Sequence, residues 1–136
     1  MLEKNQENNL YKNLFNLTIE MDFCASHIIH GHLGKCARLH GHNWTVEAHV
    51  STEVLDKIGI GIDFQDIKSA LRPIIERLDH YHLNDLAEFQ DQNPTAENVS
   101  FFIYWELRKN LPPDINLDSI TLWETDRSRV SYQPVF

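Results

Sequence analysis

The chain has 136 residues and a formal net charge of −8, a length that suits one ordinary domain. The acidic balance provides no basic stripe for nucleic acid, and apolar runs such as 101–105 fall far short of the roughly 20 residues that span a bilayer. The first nine residues are polar and hold no signal-peptide core, and Cys24 and Cys36 are too few for a disulfide framework, so a cytoplasmic protein with both thiols reduced is expected.

Residues 1–12 read as a flexible lead-in to a single domain over 13–136. Leu17, Ile19, Met21 and Phe23 then alternate with Asn16, Thr18, Glu20 and Asp22, the period-two pattern of a half-buried strand. Carried two steps further, the apolar face receives Ala25 and His27. A second strand alternates Trp44, Val46, Ala48 and Val50 with Asn43, Thr45, Glu47 and His49, and its apolar face, extended backwards, receives His42 and His40. The connection holds Gly31 and Gly34, and the two strands are expected to pair.

Asp63 caps a helix in which Ile67, Leu71, Ile74, Ile75 and Leu78 follow helical spacing, and Pro73 is expected to kink or interrupt it. A second helix begins near Asn93-Pro94-Thr95, with proline in its first turn, and runs through Val99, Phe102, Ile103 and Leu107 until Leu111-Pro112-Pro113 ends it. Ile120, Leu122 and Glu124 mark a third strand, Asp126-Arg127-Ser128 a turn, and Val130 and Tyr132 a last strand. The expected fold class is α+β: a four-stranded antiparallel sheet with two helices between strands 2 and 3, both on one face.

Six of the eight histidines fall between His27 and His49. His40 and His42, two apart on a strand, project from one face. His27 ends the apolar face of the neighbouring strand and can add a third imidazole. Three imidazoles with an open position are the pattern of catalytic zinc. A lone histidine is more often an ordinary core or surface residue, but three that end adjacent apolar faces are not explained that way. His30 and His32 repeat the His-Gly-His tripeptide in a loop with no strand to orient them, and His49 lies on the polar face, where it is expected to meet solvent.

Cys36, four residues before His40 and near Lys35 and Arg38, can be a thiolate base or nucleophile, or a fourth ligand that closes the site. Cys24 lies on polar parity and carries no role. Taken alone, Asp79-His80 reads best as a structural helix end. Glu124 is a carboxylate on apolar parity and needs partners, either a salt bridge or the paired N–H edge of a ligand ring. Thr95 and Glu97 suit a helix start.

Phe23-Cys24-Ala25-Ser26-His27, Cys36-Ala37-Arg38-Leu39-His40-Gly41-His42-Asn43, Asp63-Phe64, Leu78-Asp79-His80-Tyr81-His82-Leu83-Asn84, Pro94-Thr95-Ala96-Glu97-Asn98 and Trp123-Glu124-Thr125 together resemble the 6-pyruvoyl-tetrahydropterin synthase family. Within it they look most like the 6-carboxy-5,6,7,8-tetrahydropterin synthase branch of queuosine biosynthesis. The resemblance implies a tunnelling (T-fold) architecture whose subunits close into barrels as trimers and stack into homohexamers, with active sites between subunits. It implies a Zn2+ ion per chain on His27, His40 and His42. Cys36 is then the proton acceptor, and His80, oriented by Asp79, belongs to the proton relay. Glu124 anchors the pterin ring, with Glu97 and Thr95 at the pocket. The implied reaction is a lyase step on 7,8-dihydroneopterin triphosphate, releasing acetaldehyde and triphosphate. Lys35, Arg38, Arg127 and Arg129 are candidates for holding the phosphates. The three residues between Cys36 and His40 match the carboxy branch, whereas pyruvoyl-forming members have a longer interval and a folate-pathway variant has Glu in place of the thiol.

Two rival readings are weaker. His40-Gly41-His42 with Glu47 echoes the cupin ligand pattern, but parity puts Glu47 on the opposite face and residues 62–109 read largely helical. A non-catalytic zinc-binding oligomer, closed by Cys36, predicts metal-dependent stability without turnover.

Overall fold

The computed structural model describes residues 11–136. The elements run β1 (Phe15–His27), β2 (His40–Thr52), α1 (Phe64–Leu78), β3 (Tyr81–His82), α2 (Ala96–Asn110), β4 (Asn116–Thr125) and β5 (Ser128–Tyr132). The lead-in expected over 1–12 lies mostly outside the described residues; Tyr11 and Lys12 are exposed and in neither helix nor strand.

The sheet order is β3-β1-β2-β4-β5. The four long strands pair antiparallel, as the alternation implies. The sheet also gains a short fifth strand, since β3 lies parallel to the end of β1 with Tyr81 opposite Ala25 and His82 opposite Ser26. Two residues are too few to show a period, so this strand leaves no mark in the sequence. Between β1 and β2 the register brings His27 opposite His40 and Ala25 opposite His42.

One face of the sheet is dry. Ile19, Phe23, Trp44, Val46, Ala48, Val50, Ile120 and Leu122 are buried there beneath α1 and α2. Leu117 and Ile120, three apart, both reach the core because the pairing of β2 with β4 slips by one residue beyond His49, the behaviour of a bulge. α1 buries the five residues its periodicity marks, Ile67, Leu71, Ile74, Ile75 and Leu78, and the Asp63 carboxylate accepts from Gln65 N at 2.8 Å as its N-cap. Pro73 does not interrupt α1, contrary to expectation. It sits on the exposed side of the helix, where it removes one backbone hydrogen bond while Leu71, Ile74 and Ile75 keep the neighbouring turns packed. Pro94 is likewise not in the first turn of α2. It precedes Thr95, the N-cap, whose hydroxyl accepts from Asn98 N at 3.1 Å. Among the described residues no helix is long and apolar enough to cross a membrane.

Candidate metal centre

The opposite-strand register and the period-two alternation set His27, His40 and His42 side by side at one end of the dry face. Their ring centroids are 4.4 Å (His27–His40), 5.3 Å (His27–His42) and 4.9 Å (His40–His42) apart. Trp44 forms the floor, with its ring edge-on to His27 at 5.1 Å and to His42 at 5.4 Å, and it is held in place by Nε1 donating to Ala25 O at 3.2 Å.

Hydrogen bonds determine which nitrogen of each ring faces the cluster. His27 Nδ1 lies 2.7 Å from Pro94 O, and His40 Nδ1 lies 2.7 Å from Arg38 O. A carbonyl oxygen can only accept, so both Nδ1 atoms carry a proton, and in the neutral ring that tautomer leaves the lone pair on Nε2. The Nε2 atoms of His27 and His42 are buried without a hydrogen-bond partner, an arrangement that is costly unless a ligand supplies one. Burial pushes the pKa of His27 below its ordinary value, opposed by the Pro94 carbonyl and reinforced by His40. Burial lowers His42 as well, against the pull of Glu124. Neutral imidazole is the ligating form.

Glu124 completes the group. Its Oε1 stands 3.3 Å from His42 Nε2 without a hydrogen bond between them. One ligand atom each from His27, His40, His42 and Glu124 lies within 4.8 Å of all the others. These four residues can hold a metal ion, and the neutral nitrogen donors with one carboxylate suit zinc. The pairing of β4 with β5 shifts between Trp123 and Thr125, which places the irregularity at Glu124. Cys36 is outside this group, so the structure gives no support to a shell closed by its thiol. The cupin reading also fails, because Glu47 lies across the sheet and accepts from the Trp123 indole N–H.

The other expected residues are placed as follows. Cys36 is half-buried in a single 3-10 turn, 35–37, and its carbonyl accepts from Ile29 N at 2.9 Å, which folds the connecting loop back on itself. His80 and Asp79 are at the opposite side of β1 from β2, beside β3. One Asp79 oxygen accepts both Cys24 N–H and His80 Nδ1–H, each at 2.9 Å. The Cys24 N–H is the main cause of a lowered Asp79 pKa, helped by His80. His80 has a positive φ of 62° and its N–H donates to Cys24 O at 2.6 Å. It borders an open groove of about 470 Å³ shared with Cys24, Ser26, His42, Asn43 and His82. The Asp79–His80 pair is thus outside the four-residue metal-binding group, although His80 and His42 line one groove. Glu97 is exposed in the first turn of α2, three residues beyond Pro94.

His30 and His32 are exposed in the loop, where His32 Nδ1 accepts from Gly34 N at 2.8 Å. His49 is only partly exposed, against expectation, because it bridges Thr18 and Thr121 on the neighbouring strands at 3.0 and 3.1 Å. Of the basic candidates, Arg129 stacks over the Trp123 ring at 4.7 Å. The carbonyl of Pro94 and the side chains of Asn84 and Asn93, which brace the site, were not singled out by the sequence. A strand that ends on a ligand must satisfy its next peptide groups somewhere, and that requirement is the one signal pointing to them.

A sheet with helices on one face and a metal-binding group at its end is the arrangement of a tunnelling-fold subunit, and solved structures of that fold match it. The chain belongs to the 6-pyruvoyl tetrahydropterin synthase family, which matches residues 16–135. It is similar to a 6-carboxy-5,6,7,8-tetrahydropterin synthase of Synechocystis sp., with 34% identity over 83% of this chain and 88% of that one. It is also similar to a dihydroneopterin monophosphate aldolase of Pyrococcus furiosus, with 35% identity over 75% of this chain and 82% of that one. Its fold matches that of the Caenorhabditis elegans 6-pyruvoyl tetrahydropterin synthase with a TM-score of 0.84 at 23% identity, covering 93% of this chain and 100% of that one.

Proposed function

We propose that this chain is a zinc-dependent carbon–carbon lyase that converts 7,8-dihydroneopterin triphosphate and one water to 6-carboxy-5,6,7,8-tetrahydropterin, with release of acetaldehyde and triphosphate. The observation that carries the reading is the convergence of three imidazole Nε2 atoms in a chain whose cyanobacterial relative bears that name. Zinc bound there supplies a Lewis acid for the hydroxyls of the pterin side chain.

Each residue then has a task. Pro94 and Arg38 carbonyls keep His27 and His40 in the ligating tautomer. Cys36, as thiolate, takes a proton from the substrate side chain. His80 moves a proton at its outward Nε2 while Asp79 holds Nδ1–H. Glu124, standing beside the three nitrogens rather than filling the fourth metal position, accepts the paired N–H groups of the pterin edge, with Thr95 and Glu97 beside it. The open position of His80 fits a site completed by a neighbouring copy in a barrel of trimers stacked as a hexamer. The catalytic unit is residues 13–136, and a place in queuosine biosynthesis in the cytoplasm follows from the same reading.

A second reading comes from the archaeal relative, whose name specifies a monophosphate and an aldol cleavage. Incubation with 7,8-dihydroneopterin triphosphate and, separately, the monophosphate distinguishes them by product mass. Acetaldehyde with a carboxylated pterin from the triphosphate is the expected result. A pyruvoyl pterin, or cleavage of the monophosphate alone, overturns it.

A further inference from the structure

The end of β1 is built in an unusual way. His27 is the last strand residue, yet the chain beyond it stays pinned on the edge that β3 occupies up to His82. Asn84 grips Ile28 twice, with Oδ1 accepting from Ile28 N at 2.8 Å and Nδ2 donating to Ile28 O at 2.9 Å. Asn93 grips His30 in the same manner, at 3.0 Å to His30 N and 2.8 Å to His30 O. Ser26 still pairs with His82 of β3. Ile28 and His30 lie past the end of β1, His30 already in a turn, so no strand among the described residues partners their peptide groups and the two side chains take that place. The two carboxamides reproduce the donor–acceptor pair of a peptide and so continue the partner strand where the backbone of β3 has turned away.

This brace bears on the metal ligand from two sides. Asn84 holds the peptide directly after His27. Asn93 precedes Pro94, whose carbonyl receives His27 Nδ1–H. Asn98 Nδ2 in turn donates to Asn93 O at 2.8 Å, which ties that segment to the first turn of α2. The backbone of His27 and the acceptor for its ring are thereby held at a fixed spacing.

We propose that Asn84 and Asn93 are positioning residues for the metal site, setting the direction of His27 Nε2 through the backbone and through Pro94. Neither touches the metal or the substrate. The inference rests on the reading of the three histidines as metal ligands. Groups that orient a ligating histidine typically contribute about 10- to 100-fold in metal affinity.

The test measures zinc affinity of the full-length protein by chelator competition, alongside the thermal stability of the metal-free form. Asn93→Ala and Asn84→Ala, which act one step behind the direct partner of His27, should each weaken zinc binding by up to about tenfold, the lower end of the range for direct partners. Asn93→Asp, which keeps the acceptor for His30 N–H but loses the donor, should fall between Asn93→Ala and wild type. Asn110→Ala removes a comparable side-chain bond to Ala70 O, 3.0 Å long and remote from the site, and should lower stability without changing zinc affinity. Cobalt substitution adds a spectroscopic readout, in which the visible bands of tetrahedral cobalt should shift in the Asn93 variants and not in Asn110→Ala. If Asn93→Ala does not fold, Asn98→Ala tests the same brace and should weaken zinc in the same direction. Wild-type zinc affinity in the Asn84 and Asn93 variants, or an equal loss in Asn110→Ala, overturns the positioning role. A wild-type protein that binds no zinc at all overturns instead the metal reading on which it stands.

Discussion

His27 and His80 follow one rule to opposite ends. In each, Nδ1–H is held by an oxygen, which leaves Nε2 to act. His27 is 1% exposed and its oxygen is the neutral carbonyl of Pro94. The His80 side chain is 80% exposed and its oxygen is the carboxylate of Asp79. A dry site with a neutral acceptor favours uncharged imidazole and hence a metal ligand. An open site that ties Nδ1–H to a carboxylate leaves Nε2 facing solvent, which suits the proton-transfer role proposed for His80. Burial and the charge of one acceptor atom separate the two proposed roles.

Four substitutions and conditions bear on that contrast. The largest effect is expected from His27→Ala, which should abolish stoichiometric zinc and turnover together, measured by metal content and product formation. Full activity in a zinc-free preparation breaks the metal side of the comparison. Cys36→Ala should keep about one zinc per chain and lower turnover by about 10²- to 10⁴-fold, the range for a general base. Loss of metal instead would restore the closed-shell reading. Next comes pH. The folded pKa values of His27 and His42 lie below their ordinary value of 6.5. Below that value the unfolded chain takes up protons that the folded chain resists, so the stability of the metal-free protein should fall as pH drops through and below 6.5. Melting temperatures measured across that interval should show a steeper loss for wild type than for His27→Gln, and equal slopes would contradict it. The smallest effect is expected at Thr95, where alanine removes the cap of α2 and should cost about 1 kcal/mol, with Thr95→Ser restoring stability. An activity loss well beyond that stability loss would place Thr95 against substrate as well.

The contrast also explains what was legible. Strand parity picked out His27, His40 and His42 because burial on a sheet face leaves a period, and the five core positions of α1 were legible for the same reason. Asp79–His80 left no period, since an exposed edge imposes none, and only family resemblance marked it. Pro73 misled because local propensity is overruled when the exposed side of a packed helix absorbs the lost bond. Asn84, Asn93 and the Pro94 carbonyl act on residues 56 to 67 positions away, and no local pattern records such distances. His49 was misplaced because alternation predicts a face but not the threonines that wait across the neighbouring strands.

The left-handed backbone at His80, φ 62°, bears on how this position can vary. An L-residue in that region costs roughly 1–2 kcal/mol, which glycine avoids and asparagine tolerates. The fold therefore carries a standing load at the imidazole proposed as the relay, and on that proposal His80→Gly should melt no lower than wild type while losing turnover, whereas His80→Val should lose both. In a lineage released from catalysis, position 80 is expected to drift first to glycine or asparagine, so that loss of the reaction would register as a gain in stability.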